Sequence, residues 1–155
     1  MRWSELGEEN CPVARALSVV GDRWTLLVLR EAFRRVRRFE AFQTRLGVTR
    51  PVLADRLRKL VEAGVLDKKP YQERPLRHEY RLTEKGRALN PVLMALLVWG
   101  DQHLRGADET PSMQLRHTTC GHVMRPAMVC PDCGESLTSH TVQMVADEAG
   151  SRDAG

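Results

Sequence analysis

The sequence is poor in aromatic residues, which make up 5% of its 155 residues, and it lacks a long apolar run. The longest such run spans residues 92–99, whereas a membrane-spanning helix needs about 20 apolar residues. The N-terminal stretch MRWSELGEEN is polar and acidic, so we expect no secretory signal. These features predict a cytoplasmic protein that does not enter a membrane.

Cysteine is also scarce, with four residues in the chain. In a protein without a secretory signal, cysteines favour metal binding or redox sensing over structural disulfides. Catalytic groupings are missing as well, because the sequence shows no nucleophile paired with a base and no glycine-rich phosphate loop. We therefore expect a protein that is not an enzyme.

Charge is distributed unevenly along the chain. Residues 1–105 contain 21 Lys and Arg against 13 Asp and Glu, whereas residues 106–155 contain 3 against 7. A basic region followed by an acidic one indicates that the first meets a polyanion and the second does not.

The central stretch, residues 39–82, has the pattern of a helix-turn-helix followed by a hairpin. A helix is expected over residues 40–46, a turn at Gly47, and a second helix from the Thr49 cap through residue 63. Two strands are expected over residues 65–71 and 77–82, with residues 72–76 as the tip. The predicted fold is mainly α-helical with a small β-hairpin wing, a winged helix-turn-helix.

The N-terminus of the second helix of this motif is the expected reader of the DNA major groove. Arg50 suits bidentate contact with guanine, and Thr49 suits phosphate or a thymine methyl group. Arg56 lies at the flank of the buried face, where it either reaches DNA or forms an internal ion pair. The candidate DNA-binding residues are Arg38, Arg45, Thr49, Arg50, Arg56, Arg58, Lys59, Lys69, Arg74 and Arg77.

A long helix capped by Thr83 is expected to run towards residue 105, and Pro91 should kink it or split off its first turn. Its apolar positions recur at helical spacing on more than one side, which indicates a second copy of the chain as a partner. The candidate dimerisation residues are Leu89, Leu93, Leu96, Trp99 and His103.

Four strings of the sequence carry a specific resemblance, which covers residues 10–101. They are CPVARALSVVGDRWTLLVLREAF, RRFEAFQTRLGV, LADRLRKLVEAGVL and PYQERPLRHEYRLTEKGRALNPVLMALLVWGD. The chain resembles the HxlR-type winged helix-turn-helix regulators of the MarR-like superfamily. The resemblance implies a homodimeric bacterial repressor that binds double-stranded DNA at a palindromic operator and dimerises through its first and last helices. Pro51, in the first turn of the DNA-reading helix, departs from the family pattern.

Cys11 precedes the proline that opens the first helix. In several proteins of the HxlR type, a cysteine at this position senses oxidants, quinones or aldehydes. A helix N-terminus favours the thiolate, whereas the nearby Glu8 and Glu9 disfavour it. Two interpretations stay open: a redox- or electrophile-sensing thiol and an unreactive packed cysteine. No other effector is indicated.

The remainder of the chain forms a separate region. Residues 1–105 make up the predicted DNA-binding and dimerisation domain, residues 106–112 a linker, residues 113–145 a ribbon-like segment and residues 146–155 a disordered tail. Two ligand pairs of zinc-ribbon spacing, each followed by glycine, lie in the ribbon-like segment. They are His117 with Cys120 and Cys130 with Cys133, and His122 is an alternative to His117.

These four side chains predict one structural Zn²⁺ per chain. The alternatives are a ribbon that binds no metal, a Cys130–Cys133 disulfide, and a module in which the ribbon recruits a protein partner.

Overall fold

The computed structural model describes residues 5–110 and 113–145. The predicted disordered tail, residues 146–155, lies outside the described residues. The chain divides into two compact units, Met1–Leu97 and Val98–Gly155. The domain bounds predicted from the sequence stay a prediction.

Six helices and four strands make up the described chain. The helices are α1 (Pro12–Val20), α2 (Arg23–Phe33), α3 (Phe39–Leu46), α4 (Arg50–Glu62), α5 (Glu84–Arg87) and α6 (Asn90–His103). The strands are β1 (Leu66–Glu73), β2 (Leu76–Leu82), β3 (Leu115–Arg116) and β4 (Val123–Met124). No helix of the described residues is long and apolar enough to cross a membrane.

Local signals in the sequence explain the helix ends. Asp22 caps α2 by accepting hydrogen bonds from the backbone N–H groups of Trp24 and Thr25, at 2.9 and 3.3 Å. Gly47 ends α3 in the left-handed region, with φ of 63°, which a residue without a Cβ adopts readily. The helix-turn-helix predicted from the sequence is confirmed, and α3 begins one residue earlier than expected.

The core of the first unit lies between these helices and the base of the wing. Phe42, Leu29 and Leu66 are fully buried. The predicted apolar face of α4 is confirmed, because Leu53, Leu57 and Leu60 are each 0% exposed. The hydrophobic effect therefore fixes which side of α4 faces inward, and the opposite side remains available to a ligand.

The wing is an antiparallel hairpin of β1 and β2. Pairing runs from Leu66 opposite Leu82 to Glu73 opposite Leu76, so both strands extend further than predicted and the tip contains only Arg74 and Pro75. A bulge between Pro70 and Gln72 leaves Tyr71 without a partner across the ladder. The additional pairing beyond the bulge accounts for the longer strands.

The start of α5 is bonded to the end of α4. The Thr83 N–H donates to the Val65 carbonyl at 3.1 Å, and the Thr83 hydroxyl donates to the Gly64 carbonyl at 2.7 Å. Lys85 Nζ donates to the Ala63 carbonyl at 2.8 Å. Three successive carbonyl groups after α4 therefore have donors from one short segment.

Thr83 also caps α5, since its Oγ1 accepts from the Gly86 N–H at 3.0 Å. The single long helix expected from this cap is instead split into α5 and α6. Pro91 lies in the first turn of α6, where its missing N–H breaks no helical hydrogen bond. The split that the sequence predicted as one of two outcomes is confirmed.

We expect Gly86→Ala to lower the free energy of unfolding by about 1–3 kcal/mol, as forced overpacking usually does. The added Cβ would lie 2.2 Å from the Val65 carbonyl oxygen, and a backbone atom cannot turn aside. Urea unfolding at one fixed protein concentration measures the change. Gly7→Ala is the control, because its Cβ would meet the Ser18 side chain at an ordinary 3.5 Å. Equal unfolding midpoints for Gly86→Ala and wild type would contradict this account.

Candidate nucleic-acid interface

The N-terminus of α4 is exposed and carries the two residues predicted to contact bases. Thr49 occupies the N-cap position, but its side chain makes no capping hydrogen bond. The Arg50 guanidinium lies 4.7 Å from the centroid of the Phe39 ring, in a cation–π contact. The Arg50 side chain therefore packs against the first residue of α3.

The exposed side of α4 is a network of ion pairs centred on Asp55. Arg58 Nη2 lies 2.7 Å from Asp55 Oδ1, and Lys59 Nζ lies 3.0 Å from Asp55 Oδ2. Hydrogen bonds donated by Arg58 and then Lys59 lower the pKa of Asp55, and the hydrogen bonds that Arg58 donates to Asp55 and then Glu62 raise the pKa of Arg58. Both predicted phosphate-binding cations of this helix therefore already have carboxylate partners.

Arg56 lies at the flank of the buried face of α4 and is paired within the protein. Its side chain is 22% exposed, and its Nε lies 3.0 Å from Asp22 Oδ1, the cap of α2. The Nε–H is not aligned for a hydrogen bond, so the contact is one of charge. A second contact joins Arg56 Nη1 to Asp55 Oδ2 at 3.1 Å. The structure shows the internal ion pair of Arg56, and contact of this residue with DNA stays a prediction.

Arg45 is tied to a buried carboxylate that the sequence interpretation missed. Glu31 is 1% exposed, and its Oε2 lies 3.4 Å from Arg45 Nη1. Arg30 and Arg34 also pair with it, at 2.9 and 3.3 Å. A guanidinium has five N–H donors, so each arginine keeps donors for a phosphate. The signal in the sequence was an acidic residue within the apolar face of α2, with arginines one residue before and three after it.

The loop between α2 and α3 joins the wing. The Tyr80 N–H donates to the Arg37 carbonyl at 2.8 Å, and Arg38 forms an isolated β-bridge with Glu79. The Arg38 guanidinium lies 4.6 Å from the centroid of the Tyr71 ring, the residue left out of the ladder by the bulge. Arg38 is therefore held beside the wing instead of on a free loop.

The tip of the wing carries the least restrained of the predicted DNA-binding side chains. Arg74 and Arg77 are exposed, and neither forms an ion pair with a described residue. Lys69 Nζ lies 3.7 Å from Asp67 Oδ2, a long and exposed ion pair worth little in water. These cations are available to a neighbouring phosphate.

The predicted dimerisation residues fall into two groups. Leu89 and Leu93 pack against the core of the same protomer. Leu96 and Trp99 are 46% and 54% exposed, and the Trp99 ring lies 5.7 Å from that of His103. Exposed apolar side chains also occur at Val92 of α6 and at Val13 and Leu17 of α1. Leu89 and Leu93 are thus partly buried within the protomer, and dimerisation through these five residues stays a prediction.

Cys11 is an exposed free thiol at the N-cap position of α1, where its side chain makes no capping hydrogen bond. Its position matches the expectation from the sequence, and sensing at this residue stays a prediction.

The ribbon-like segment forms both predicted ligand pairs. His117 Nδ1 lies 3.2 Å from Cys120 Sγ. Hydrogen bonds from the Cys133 and Asp132 backbone N–H groups and from the Cys133 side chain lower the pKa of Cys130. Within the described residues, no three His, Cys, Asp or Glu side chains converge on one point. The structure therefore forms each pair but does not join the two.

Comparisons with known proteins match this architecture. The family model described as HxlR-like helix-turn-helix matches residues 19–108. The uncharacterized HTH-type transcriptional regulator Rv3095 of Mycobacterium tuberculosis is 52% identical over 134 residues, which cover 86% of this chain and 84% of that protein.

Two solved structures are similar to this chain in both sequence and fold. PA1607, whose crystal structure is known, is 39% identical in sequence to this chain. The two structures match with a TM-score of 0.82, and the match covers 93% of this chain and 99% of that one. The redox regulator HypR, in its oxidized form, is 31% identical with a TM-score of 0.57, covering 63% of this chain and 100% of that one. The similarity to PA1607 therefore extends into the ribbon-like segment, whereas all of HypR matches a shorter part of this chain.

The HxlR-like proteins are DNA-binding transcriptional regulators, a class that typically has no enzymatic activity. The mainly helical fold with its antiparallel hairpin is the winged helix-turn-helix of such regulators. This chain belongs to the HxlR-like helix-turn-helix family.

Proposed function

We propose that the protein is a homodimeric repressor that recognises a palindromic operator through α4 and the wing. The observation that carries this proposal is the exposed N-terminus of α4, where Arg50 lies on Phe39 and the Thr49 side chain makes no capping bond. A helix whose opposite side is fully buried can present this end to a major groove.

Different residues are suited to contact the bases and the phosphates of DNA. Arg50 is suited to two hydrogen bonds with the O6 and N7 atoms of a guanine. Arg38 and the wing residues Lys69, Arg74 and Arg77 supply charge for the phosphate backbone. Arg45 contributes through the guanidinium donors that its bond to Glu31 leaves unused.

Dimerisation follows from the apolar side chains that the protomer leaves exposed on α1 and α6. Val13 of α1 is 66% exposed, and Trp99 of α6 is 54% exposed. Large apolar side chains on consecutive turns of a helix favour burial against a partner. A twofold dimer presents two copies of α4 to DNA, so the operator repeats its half-site as a palindrome. Repression follows when such an operator overlaps a promoter.

Replacing Arg50 by alanine should weaken operator binding by about 1–3 kcal/mol and reduce the preference for the operator sequence, because a base contact is lost. The operator is first obtained by in vitro selection from random duplexes with the wild-type protein. Fluorescence anisotropy then compares it with a scrambled duplex. Arg56→Ala removes the same charge from the same helix, but its loss should reduce stability and leave the sequence preference intact. An equal loss of affinity on both duplexes would assign Arg50 to phosphate contact.

The variant Asp55→Asn should bind DNA more tightly, by about threefold to tenfold at low salt, because Arg58 and Lys59 lose a competing carboxylate. The dependence of log affinity on log salt should also become steeper by up to about 1 per protomer. Asp108→Asn is the matched control, since it changes the net charge equally at an exposed position outside the helices and strands. Equal gains for both variants would mean that only net charge matters.

For the dimer, Leu96→Glu should yield monomers in sedimentation velocity at micromolar concentration, because a charge would be buried in the interface. Leu76→Glu places the same charge on a leucine that is 62% exposed in the wing, and this variant should remain dimeric. A dimeric Leu96→Glu protein would place the interface elsewhere.

A further inference from the structure

The ribbon-like segment contains two turns with the same backbone hydrogen bonds, residues 117–122 and 130–135, here called the first and second knuckle. In the first, the His117 N–H donates to the His122 carbonyl at 2.9 Å, and the Gly121 N–H donates to the His117 carbonyl at 2.8 Å. In the second, the Cys130 N–H donates to the Glu135 carbonyl at 2.8 Å, and the Gly134 N–H donates to the Cys130 carbonyl at 2.9 Å. The two turns are structural repeats.

Glycine occupies the fifth position of each knuckle for a conformational reason. Gly121 has φ of 76° and Gly134 has φ of 74°, a left-handed conformation that L side chains rarely adopt. This residue reverses the chain immediately after the fourth position. Positions one and four of each turn can then present their side chains to a common point.

The side chains in the first knuckle are already close enough to share an ion. His117 Nδ1 lies 3.2 Å from Cys120 Sγ. Two ligands at zinc bond lengths with a tetrahedral angle between them are separated by about 3.5 Å. The Nδ1 atom is the nitrogen that faces the sulfur, so the Nε2 atom is left for an outer partner.

Short antiparallel pairing supports each knuckle, as two strands at the first and as an isolated β-bridge at the second. β3 and β4 flank the first, pairing Leu115 with Met124 and Arg116 with Val123. Beside the second, Val129 bridges Ser136, and the Leu137 N–H donates to the Met128 carbonyl at 2.8 Å. Each pair of ligands therefore sits at the end of its own small hairpin.

The described part of this segment has no hydrophobic core. None of residues 113–145 is buried, and only Leu115, Pro126 and Cys130 are even partly shielded from solvent. So small a segment without buried side chains usually needs a disulfide or a metal ion to stabilise it. All three of its cysteines are free thiols.

We propose that one Zn²⁺ ion joins the two knuckles and is bound by His117 Nδ1 and the Sγ atoms of Cys120, Cys130 and Cys133. Three thiolates and one imidazole form the closed tetrahedral set of structural zinc sites. Because the two pairs do not converge within the described residues, metal binding brings two preformed half-sites together. The free energy of binding then stabilises the segment, as in small zinc domains.

The equivalence of the knuckles also selects between the two candidate histidines. His122 occupies the sixth position of the first knuckle, which corresponds to Glu135 in the second. At this position the backbone carbonyl closes the turn, and positions one and four supply the ligands. His117 is therefore the ligand, and His122 is not.

Elemental analysis of the full-length protein, purified without chelator, should find about one zinc ion per chain. Replacement of zinc by Co²⁺ should give the intense visible bands of tetrahedral cobalt together with thiolate charge-transfer absorption. His117→Ala and Cys130→Ser should each reduce the metal content to well below half. The matched controls His122→Ala and Cys11→Ser should retain it.

Wild-type protein without bound zinc, or without tetrahedral cobalt bands after substitution, would overturn the proposal, and so would loss of metal in His122→Ala. Limited proteolysis gives a second readout, because a chelator should expose residues 113–145 to cleavage in the wild-type protein. A chelator that leaves the cleavage pattern unchanged would show that no metal stabilises this segment. These measurements do not depend on DNA binding, so they test the metal site independently of the repressor function.

Discussion

The Val65 carbonyl is the point where the segment after α4, the start of the wing and the short helix α5 meet. It accepts a hydrogen bond from the Thr83 N–H, and Gly86 packs so closely above it that no Cβ fits. Because β1 starts directly after Val65 and α5 leads into α6, this contact sets the direction of both. If the protein dimerises through α6 as proposed, α5 and its hydrogen bonds to residues 63–65 would connect that interface with the end of α4.

The sequence predicts those elements whose signals are local. Gly47, the apolar face of α4 and Pro91 each act within a few residues, and the structure agrees with all three. Side-chain partners are harder to predict, since they come from distant segments. Arg56 meets Asp22, and Arg45 meets Glu31, only after α2, α3 and α4 have packed. Composition alone therefore does not reveal which cations pair with carboxylates inside the protein, and periodicity alone could not separate Leu89 and Leu93 from the exposed residues of α6.

The charge on the candidate DNA-binding surface is thus less than its arginines and lysines suggest. Asp55 and Glu62 pair with the cations along the exposed side of α4, whereas Arg74 and Arg77 of the wing form no ion pair with a described residue. If α4 and the wing bind DNA as proposed, phosphates would compete with Asp55 for Arg58 and Lys59. Arg74 and Arg77 of the wing would pair with phosphates without that competition.

The contact between Arg50 and Phe39 has a consequence for how selective the protein can be. A free arginine side chain samples many rotamers and must lose that freedom when it contacts a base. A guanidinium already resting on an aromatic ring, 4.7 Å from its centroid, has fewer conformations to lose. It also has fewer conformations available for contact with a different base pair. If Arg50 contacts a base as proposed, this restricted side chain would make the protein less tolerant of substitutions at that base pair.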